Sequence, residues 1–321
     1  MATSTERLVD TNGARLRVVE AGDLEAPVVL LAHGFPELSY SWRHQIPVLA
    51  EAGYRVLAPD QRGYGGSSAP DAIEDYNIVA LCGDLAGLLD DADAERAVIV
   101  GHDWGSMVAW NFPLFHPDRV NGVVGMSVPP VPRPQAPPIE IWRKQFGENF
   151  FYILYFQQPG VADENLGRDP AETMRRVIGG VRRPDDRGGA ARMLAPGPEG
   201  WVERLPDPIG LEDWISQDEL DHYIAEFSRT GFTGGLNWYR NLDRNWELTA
   251  DAPASTITAP SLFITGSKDV VRTFTRADRA REVVTGTYDE LVIDGAGHWV
   301  QQERPGEVNE ALLKFLSGLE M

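Results

Sequence analysis

A short apolar run that leads directly into a glycine-bounded turn and a helix constrains the fold more than any other feature of this sequence. Residues 97–100 (AVIV) are followed at once by GHDWG at 101–105 and then by the helical pattern of residues 106–115. The small residues at both ends of the pentapeptide allow a sharp strand–turn–helix elbow. Such an elbow holds its middle side chain, here Asp103, exposed above a sheet and beside a helix N-terminus.

Other apolar runs of strand length alternate with helical patterns along the chain. We predict strands at residues 15–21, 28–32, 54–58, 97–100, 123–128, 261–265 and 290–293, and helices that include 80–89 and 307–319. Continuous apolar strands separated by helices are typical of a mostly parallel sheet that is covered on both faces. The sequence therefore predicts an α/β fold.

The pattern changes after Val128, where prolines crowd the chain up to Pro138. Such a segment cannot continue a helix or a central strand. The following hundred or so residues show helical patterns without alternating strands. We therefore predict a core formed by residues 1–128 and 252–321, which is interrupted by a mainly helical insert of residues 129–251.

The charge and the cysteine content exclude several classes of partner. The chain carries 29 basic and 48 acidic residues, which gives a formal net charge of −19. The electrostatic field of this negative charge repels phosphates and anionic lipids. We therefore expect neither nucleic acid nor a membrane as a partner. A single cysteine, Cys82, excludes an intramolecular disulfide, and residues 1–13 lack the pattern of a signal peptide. We therefore expect a cytoplasmic protein. The six histidines form no ligand motif, so no metal is expected.

An aspartate in the middle of the elbow, where serine is usual, changes the chemistry that the elbow supports. A carboxylate with a pKa of roughly 4 is already ionised at pH 7. Asp103 can therefore attack an electrophilic sp3 carbon unaided and form an alkyl-enzyme ester. A histidine is then free to activate water for the second step. The structural alternative for Asp103 alone is an N-cap of the following helix.

Two more polar residues follow predicted strands at their carboxyl ends. His298 follows residues 290–293 after a glycine-containing turn, and Asp269 follows residues 261–265. Taken singly, a loop histidine and a turn aspartate are more commonly structural. Together with Asp103 they give the order nucleophile, acid, histidine that an α/β-hydrolase requires. In this interpretation Asp269 orients the imidazole.

The tetrapeptide HGFP at residues 33–36 follows the predicted strand 28–32. The backbone N–H groups of Phe35 and Trp104 are candidates for an oxyanion hole, which would hold the oxyanion formed when water attacks the ester. His33 and Pro36 are candidate pocket residues. By contrast, GYGG at residues 63–66 lacks the spacing of a dinucleotide fingerprint, and we interpret it as a turn.

The leaving group needs its own donors, and two aromatic segments of the insert offer them. Opening an epoxide generates an alkoxide, and tyrosine suits its protonation because its pKa near 10 keeps it protonated at neutral pH. Displacing a halide instead requires N–H donors. Tyrosines occur in FYILYFQ at residues 151–157 and in NWYR at 237–240. Aromatic helix residues more commonly pack in a core, and that alternative stays open for each tyrosine taken alone.

Taken together, these motifs resemble α/β-hydrolase-fold epoxide hydrolases of the soluble branch, and the resemblance covers nearly the whole chain. It implies an eight-stranded, mostly parallel sheet flanked by helices, with an inserted helical cap, and no metal or organic cofactor. The N-terminal phosphatase domain of the vertebrate members is not expected. The implied partners are a small-molecule epoxide and water, and a homodimer is left open.

The resemblance also implies roles for individual residues. Tyr239 matches the second tyrosine of the family, and Tyr152 matches the first by its spacing, with Tyr155 as the alternative. Tyr155 and Trp238 are further candidate pocket residues. Asp103 is the implied nucleophile.

Two rival functions stay open at this point. A haloalkane or haloacid dehalogenase would use the same Asp103, and Trp104 offers one indole N–H for a halide, whereas Phe35 offers none. Fluoroacetate dehalogenases resemble the HGFP motif but place an arginine where this chain has Trp104. A catalytically silent binding protein on the same fold is the rival from another class.

Overall fold

The computed structural model describes residues 4–180, 189–206, 208 and 210–320. These residues form two compact units. The core unit comprises the described residues of Met1–Ala69, Ile78–Pro132 and Asp251–Met321, and the helical unit comprises those of Pro70–Asn77 and Arg133–Ala250.

Parts of two sequence-based expectations lie outside the described residues. The predicted insert 129–251 includes residues 181–188, 207 and 209, and the N-terminal segment that lacks a signal-peptide pattern includes residues 1–3. Residue 321 of the predicted core also lies outside them.

Eight strands of the core unit form one sheet, in the order β1-β2-β4-β3-β5-β6-β7-β8. The β1–β2 and β2–β4 pairs are antiparallel, and the remaining neighbours are parallel. The predicted α/β fold with a mostly parallel, eight-stranded sheet is therefore confirmed. The strands are β1 (Thr5–Thr11), β2 (Ala14–Ala21), β3 (Val28–Ala32), β4 (Arg55–Pro59), β5 (Ala97–His102), β6 (Val120–Met126), β7 (Ser261–Gly266) and β8 (Tyr288–Ile293).

The first strand, β1, is absent from the sequence-based prediction. Its residues are mostly exposed or half-buried, with only Val9 buried, because it lies at the edge of the sheet. It joins β2 through Asn12 and Gly13, whose φ angles are 47° and 73°. An Asn-Gly pair in this conformation is typical of a two-residue hairpin. That pair was the signal in the sequence for an additional antiparallel strand.

The central strands are buried because their apolar residues face packed helices on the flanks of the sheet. Every residue of β3, β4 and β5 is buried. Alternate residues of the strands pack with apolar side chains of α1 and α14 in one cluster, while α2 and α3 pack against each other. The helices of the core unit are α1 (Ile46–Glu51), α2 (Ile78–Asp91), α3 (Trp104–Phe115), α13 (Val300–Glu303) and α14 (Pro305–Ser317).

Between residues 133 and 250, the described regular elements are helices. Local capping explains where some of these helices begin and end. At the start of α10, the Ser216 hydroxyl accepts the Glu219 N–H while the Glu219 carboxylate accepts the Ser216 N–H, and Gly231 with a φ of 68° ends the helix. The helices are α4 (Pro138–Phe146), α5 (Tyr152–Tyr155), α6 (Val161–Gly167), α7 (Pro170–Gly180), α8 (Gly189–Leu194), α9 (Trp201–Arg204), α10 (Gln217–Thr230), α11 (Thr233–Arg240) and α12 (Leu242–Leu248).

In the part of the chain that the structure describes, no helix combines the length and the apolar character that crossing a bilayer requires.

Candidate active site

Asp103 occupies the turn between β5 and α3 with an unusual backbone conformation. Its φ is 51° and its ψ is −117°. A positive φ is uncommon for a residue with a Cβ and costs free energy, so it persists only where the surrounding structure enforces it. The predicted elbow is thus present, and it places a carboxylate at the carboxyl end of a central parallel strand.

Glycines enforce this turn because other backbone segments approach them closely. A Cβ added to Gly101 would lie 2.0 Å from the carbonyl oxygen of Gly105, and a Cβ added to Gly105 would lie 2.0 Å from the carbonyl oxygen of Ala32. A Cβ added to Gly34 would lie 2.4 Å from the Cβ of Asp103. The segment that follows β3 is therefore pressed directly against the elbow.

Replacing Gly34 by alanine is expected to destabilise the protein by about 2 kcal/mol or more and to displace the Asp103 side chain, because the added methyl has no room. Gly306→Ala is the matched control, since a Cβ there meets no atom within 4 Å. In a helix it should raise stability by about 0.5 kcal/mol. Denaturant unfolding measures the stability of both variants. Equal stability for the two would contradict the close approach.

His298 lies between two carboxylates of the core unit. Its Nδ1 is 3.1 Å and 3.2 Å from the two carboxylate oxygens of Asp269. Its Nε2 is 3.6 Å from Oδ2 of Asp103. Asp269 Oδ1 also accepts the N–H of Val271 at 2.9 Å, which fixes the orientation of that carboxylate. The three residues predicted as nucleophile, acid and histidine are thus brought together.

The surrounding charges raise the pKa of His298 to about 9. Burial alone would lower it, but the charge and hydrogen bonds of Asp269 and the charges of Asp103 and Glu37 favour the imidazolium. The pKa of Asp269 lies below its ordinary value, because the charge and hydrogen bond of His298 outweigh the cost of burial. The buried imidazole of His298 and the carboxylate of Asp269 therefore form an ion pair.

Asp103 differs from the ordinary carboxylate assumed from the sequence. Burial raises its pKa, and the nearby rings of His298 and His102 and the backbone N–H groups of Phe35 and Trp104 oppose that rise without cancelling it. The imidazolium of His298 is thus a main factor that favours the ionised form of Asp103.

The two candidate oxyanion-hole residues contact the carboxylate itself. The Phe35 N–H donates to Oδ1 of Asp103 at 2.9 Å, and the Trp104 N–H also hydrogen-bonds to this carboxylate. Oδ2 is the oxygen that faces His298. Oδ1 of Asp103 is therefore held by a backbone donor, and Oδ2 is directed toward the imidazole of His298.

Two buried residues that sequence reasoning missed, Glu37 and His102, support the loops around Asp103. Glu37 accepts the Gly34 N–H at 2.9 Å and lies 2.6 Å from Nδ1 of His102. Nε2 of His102 lies 2.8 Å from the carbonyl oxygen of His298, and because a carbonyl only accepts, this nitrogen carries a proton. Ser127 donates to the same carbonyl at 2.7 Å. The network thus joins the loop of Phe35 to the loop of His298.

The amides of Gln301 and Gln302 complete this network by donating to the second oxygen of Glu37 at 2.9 Å and 3.0 Å. Burial disfavours the charged carboxylate, but the charge and hydrogen bond of His102 and the Gly34 N–H hold the pKa of Glu37 well below its usual range. The only signal in the sequence was adjacency, since Glu37 directly follows HGFP and His102 lies inside GHDWG.

The other candidate pocket residues of HGFP are buried. His33 has no exposed surface; its Nε2 accepts the Gln61 N–H at 2.9 Å, so its Nδ1 carries the proton and donates to the Gly34 carbonyl at 2.9 Å. Pro36 is also buried, and its peptide bond with Phe35 is cis. His33 therefore contacts the backbone of its own loop and of residue 61.

In the helical unit, Tyr152 and Tyr239 lie close together. Their ring centroids are 6.1 Å apart, with the ring planes at 76°. The ring of Phe156 contacts both tyrosines, with its centroid 5.5 Å from that of Tyr152 and 5.1 Å from that of Tyr239. Tyr155 instead lies 5.3 Å from the ring of Phe150. Trp238 is fully buried. Of the two candidates for the first tyrosine, Tyr152 is therefore the one whose ring contacts that of Tyr239.

No group of three or more histidine, cysteine, aspartate or glutamate side chains within residues 4–180, 189–206, 208 and 210–320 is arranged to hold a metal ion.

Comparison with known proteins places these features in a family. The chain matches the α/β hydrolase fold family over residues 27–305. It is 70% identical to Epoxide hydrolase A of Mycobacterium tuberculosis over 321 residues, which cover 100% of both chains. It is 39% identical to Epoxide hydrolase 3 of Siraitia grosvenorii over 317 residues, which cover 96% of this chain and 97% of the relative.

Solved structures agree with these relatives. The crystal structure of Epoxide Hydrolase A from Mycobacterium thermoresistibile has a TM-score of 0.97 and 63% identity, covering 99% of this chain and 100% of that one. An epoxide hydrolase from an endophytic Streptomyces has a TM-score of 0.92 and 41% identity, covering 98% and 96%. The chain belongs to the epoxide hydrolases of the α/β hydrolase fold family.

Proposed function

We propose that this protein hydrolyses a small-molecule epoxide to a vicinal diol through an ester of Asp103. The observation that carries this proposal is the position of the Asp103 carboxylate, with one oxygen held by the Phe35 N–H and the other 3.6 Å from His298. Relatives named epoxide hydrolases at 70% and 63% identity favour this function over a dehalogenase that uses the same nucleophile.

In the first step, Oδ2 of Asp103 attacks a ring carbon from the side opposite the ring oxygen. A carbon–oxygen bond of the ring breaks as the ester bond forms, and the ring oxygen takes a proton from a tyrosine. We assign this donation to the hydroxyls of Tyr152 and Tyr239. We assign the role of a cap to the helical unit, which contains most of the predicted insert 129–251. The contact between these two rings supports the choice of Tyr152 over Tyr155.

Esterification changes the charge that His298 experiences. The negative charge of Asp103 is one of the factors that raise the histidine's pKa in the free enzyme, and the ester carries no charge. The pKa of His298 therefore falls once the ester has formed. The imidazolium proton can then restore the tyrosine, which leaves His298 neutral when a base is needed.

In the second step, His298 removes a proton from water, and the resulting hydroxide attacks the ester carbonyl. The Phe35 and Trp104 N–H groups, which already bind the Asp103 carboxylate, stabilise the oxyanion. The intermediate collapses, and the diol leaves with the proton that the Asp103 carboxyl group gives up. This restores the carboxylate beside a protonated His298, as in the free enzyme.

The proposed partners are an epoxide and water. The proposed location is the cytoplasm, because the one cysteine, Cys82, is a free and buried thiol, and reducing compartments keep thiols in this form.

The double variant Tyr152→Phe/Tyr239→Phe is expected to open a styrene-type epoxide about 10²–10⁴-fold more slowly, because the alkoxide loses its proton donors. Tyr155→Phe is the matched control and should keep the wild-type rate. Single-turnover kinetics and diol analysis measure both, and the wild type should release no halide from chloroalkanes. Fast ring opening by the double variant, or halide release, would refute the proposed function.

A further inference from the structure

Two hydroxyls can bind one ring oxygen only if the helices that carry them keep a fixed separation. With O–H···O distances of 2.7–2.8 Å, the two hydroxyl oxygens must lie within about 5.5 Å of each other. Tyr152 begins α5 and Tyr239 lies in α11. The centroids of their two rings are 6.1 Å apart. The separation of α5 and α11 is therefore a requirement of the proposed function, on which this inference rests.

Arg240, the residue after Tyr239, ties α11 to the end of α5. Its guanidinium Nε donates to the carbonyl oxygen of Phe156 at 3.1 Å, and another nitrogen donates to Oδ1 of Asn237 at 2.8 Å. Its third partner is the carboxylate of Asp163 in α6. The side chain is only 3% exposed. The planar guanidinium of Arg240 thus contacts three elements: the residue that follows α5, the α6 helix and α11 itself.

Asp163 is itself held in place by three donors. Besides Arg240, it accepts the Thr233 hydroxyl at 2.7 Å and the Gly160 N–H at 2.8 Å. Thr233 is the first residue of α11, so Asp163 contacts both ends of that helix. Burial opposes ionisation, but the hydrogen bonds of Arg240 and Thr233 keep the pKa of Asp163 below its ordinary value.

Gln157 makes a second connection between the same elements. Its side-chain amide donates to the carbonyl oxygen of Tyr239 at 3.0 Å and to that of Ile153 at 2.9 Å. Because both acceptors are backbone atoms of α5 and α11, this amide fixes the two helices directly against each other.

We propose that Arg240, Asp163 and Gln157 form a positioning clamp that sets the separation of the Tyr152 and Tyr239 hydroxyls. None of the three clamp residues has a role in the chemistry itself. The clamp should therefore affect ring opening, which uses both tyrosines, and leave hydrolysis of the ester, which uses His298, unchanged.

Arg240→Met tests the clamp, with ring opening and ester hydrolysis measured as separate rate constants in single-turnover experiments on the full chain. We expect ring opening to slow by about 10²-fold, the size of effect that a displacement of about 1 Å produces, and ester hydrolysis to keep its wild-type rate constant. Arg240→Lys keeps the positive charge without the planar fork. Its rate of ring opening should lie between those of the wild type and Arg240→Met. If Arg240→Met slows ring opening and ester hydrolysis equally, or slows neither step, the clamp is overturned.

Arg176→Met is the matched control. Arg176 also pairs with a carboxylate, that of Glu172, and donates to a backbone carbonyl, that of Leu205, within the helical unit. Its loss should leave ring opening unchanged. If Arg176→Met slows ring opening as much as Arg240→Met does, the effect is a general one of stability, and the clamp is refuted.

Gln157→Met keeps the test decisive if Arg240→Met does not fold, because Gln157 is only half-buried. It should slow ring opening by about tenfold without changing ester hydrolysis, and an unchanged rate of ring opening would overturn the clamp. The tyrosine variants distinguish failure of the clamp from failure of the proposed function. If Tyr152→Phe and Tyr239→Phe slow ring opening while Arg240→Met and Gln157→Met do not, the clamp fails and the proposed function stands. If the tyrosine variants have no effect, the proposed function fails first.

Discussion

Asp103→Asn should lower kcat/KM for epoxide hydrolysis by about 10⁵-fold, because it removes the nucleophile with almost no change in size. The side-chain amide oxygen can still accept the Phe35 N–H, which donates to Oδ1 at 2.9 Å in the wild type, so the elbow should keep its conformation. An amide is a far weaker nucleophile than a carboxylate. Diol formation under kcat/KM conditions measures the loss.

Asp93→Asn is the control for this substitution. Asp93 is an exposed aspartate that also has a positive φ, 53° against 51° for Asp103. Its replacement should leave kcat/KM unchanged, which separates backbone strain from nucleophilicity. If Asp103→Asn kept activity within about tenfold of the wild type, the carboxylate would not be the attacking group.

His298→Gln should stop turnover after the first step and trap the ester. Ring opening needs the Asp103 carboxylate and proton donors, whereas ester hydrolysis needs a base, whose loss costs about 10²–10⁴-fold. Intact-protein mass spectrometry after mixing with an epoxide should therefore show a mass gain equal to one epoxide, and peptide mapping should place it on Asp103.

His116→Gln is the control for trapping, because His116 lies half-buried at the C-terminal end of α3. This variant should turn over normally and carry no adduct. Absence of both adduct and diol with His298→Gln would mean that the histidine is required for ring opening, and the division of roles would be wrong.

The sheet was predictable because its central strands are continuous apolar runs. Residues 28–32 were predicted as a strand and form β3 with the same limits, while residues 123–128 were predicted and β6 is Val120–Met126. β6 ends earlier because Ser127 has a φ of 67°, which leaves the extended conformation. β1 was missed because it buries little apolar surface, although Asn12-Gly13 signals a hairpin.

The cluster of Asp103, Asp269 and His298 could be predicted from the sequence because each of these residues follows a strand. The carboxyl ends of parallel strands meet at one edge of a sheet, so residues far apart in the chain converge there. The contact of Glu37 with Gln302 joins positions 265 residues apart, and no local pattern predicts it. Burial of such a polar group depends on tertiary contacts alone.

The helical unit was less predictable than the core. Its helical character was evident, but residues 70–77 were not expected to belong to it. They do so through long-range contacts such as the hydrogen bond from the Asn241 amide to the Ile73 carbonyl at 2.6 Å. The pairing of Tyr152 with Tyr239 came from the resemblance to epoxide hydrolases, because the sequence spacing alone does not determine which aromatic rings meet.

A single turnover in H₂¹⁸O tests the central claim, covalent attack by Asp103, most directly. With enzyme in excess over epoxide, the diol should carry an oxygen from the unlabelled carboxylate, and the ¹⁸O should appear in Asp103 on peptide mass analysis. If the first-turnover diol contains ¹⁸O while Asp103 stays unlabelled, water attacks the epoxide directly and no ester forms.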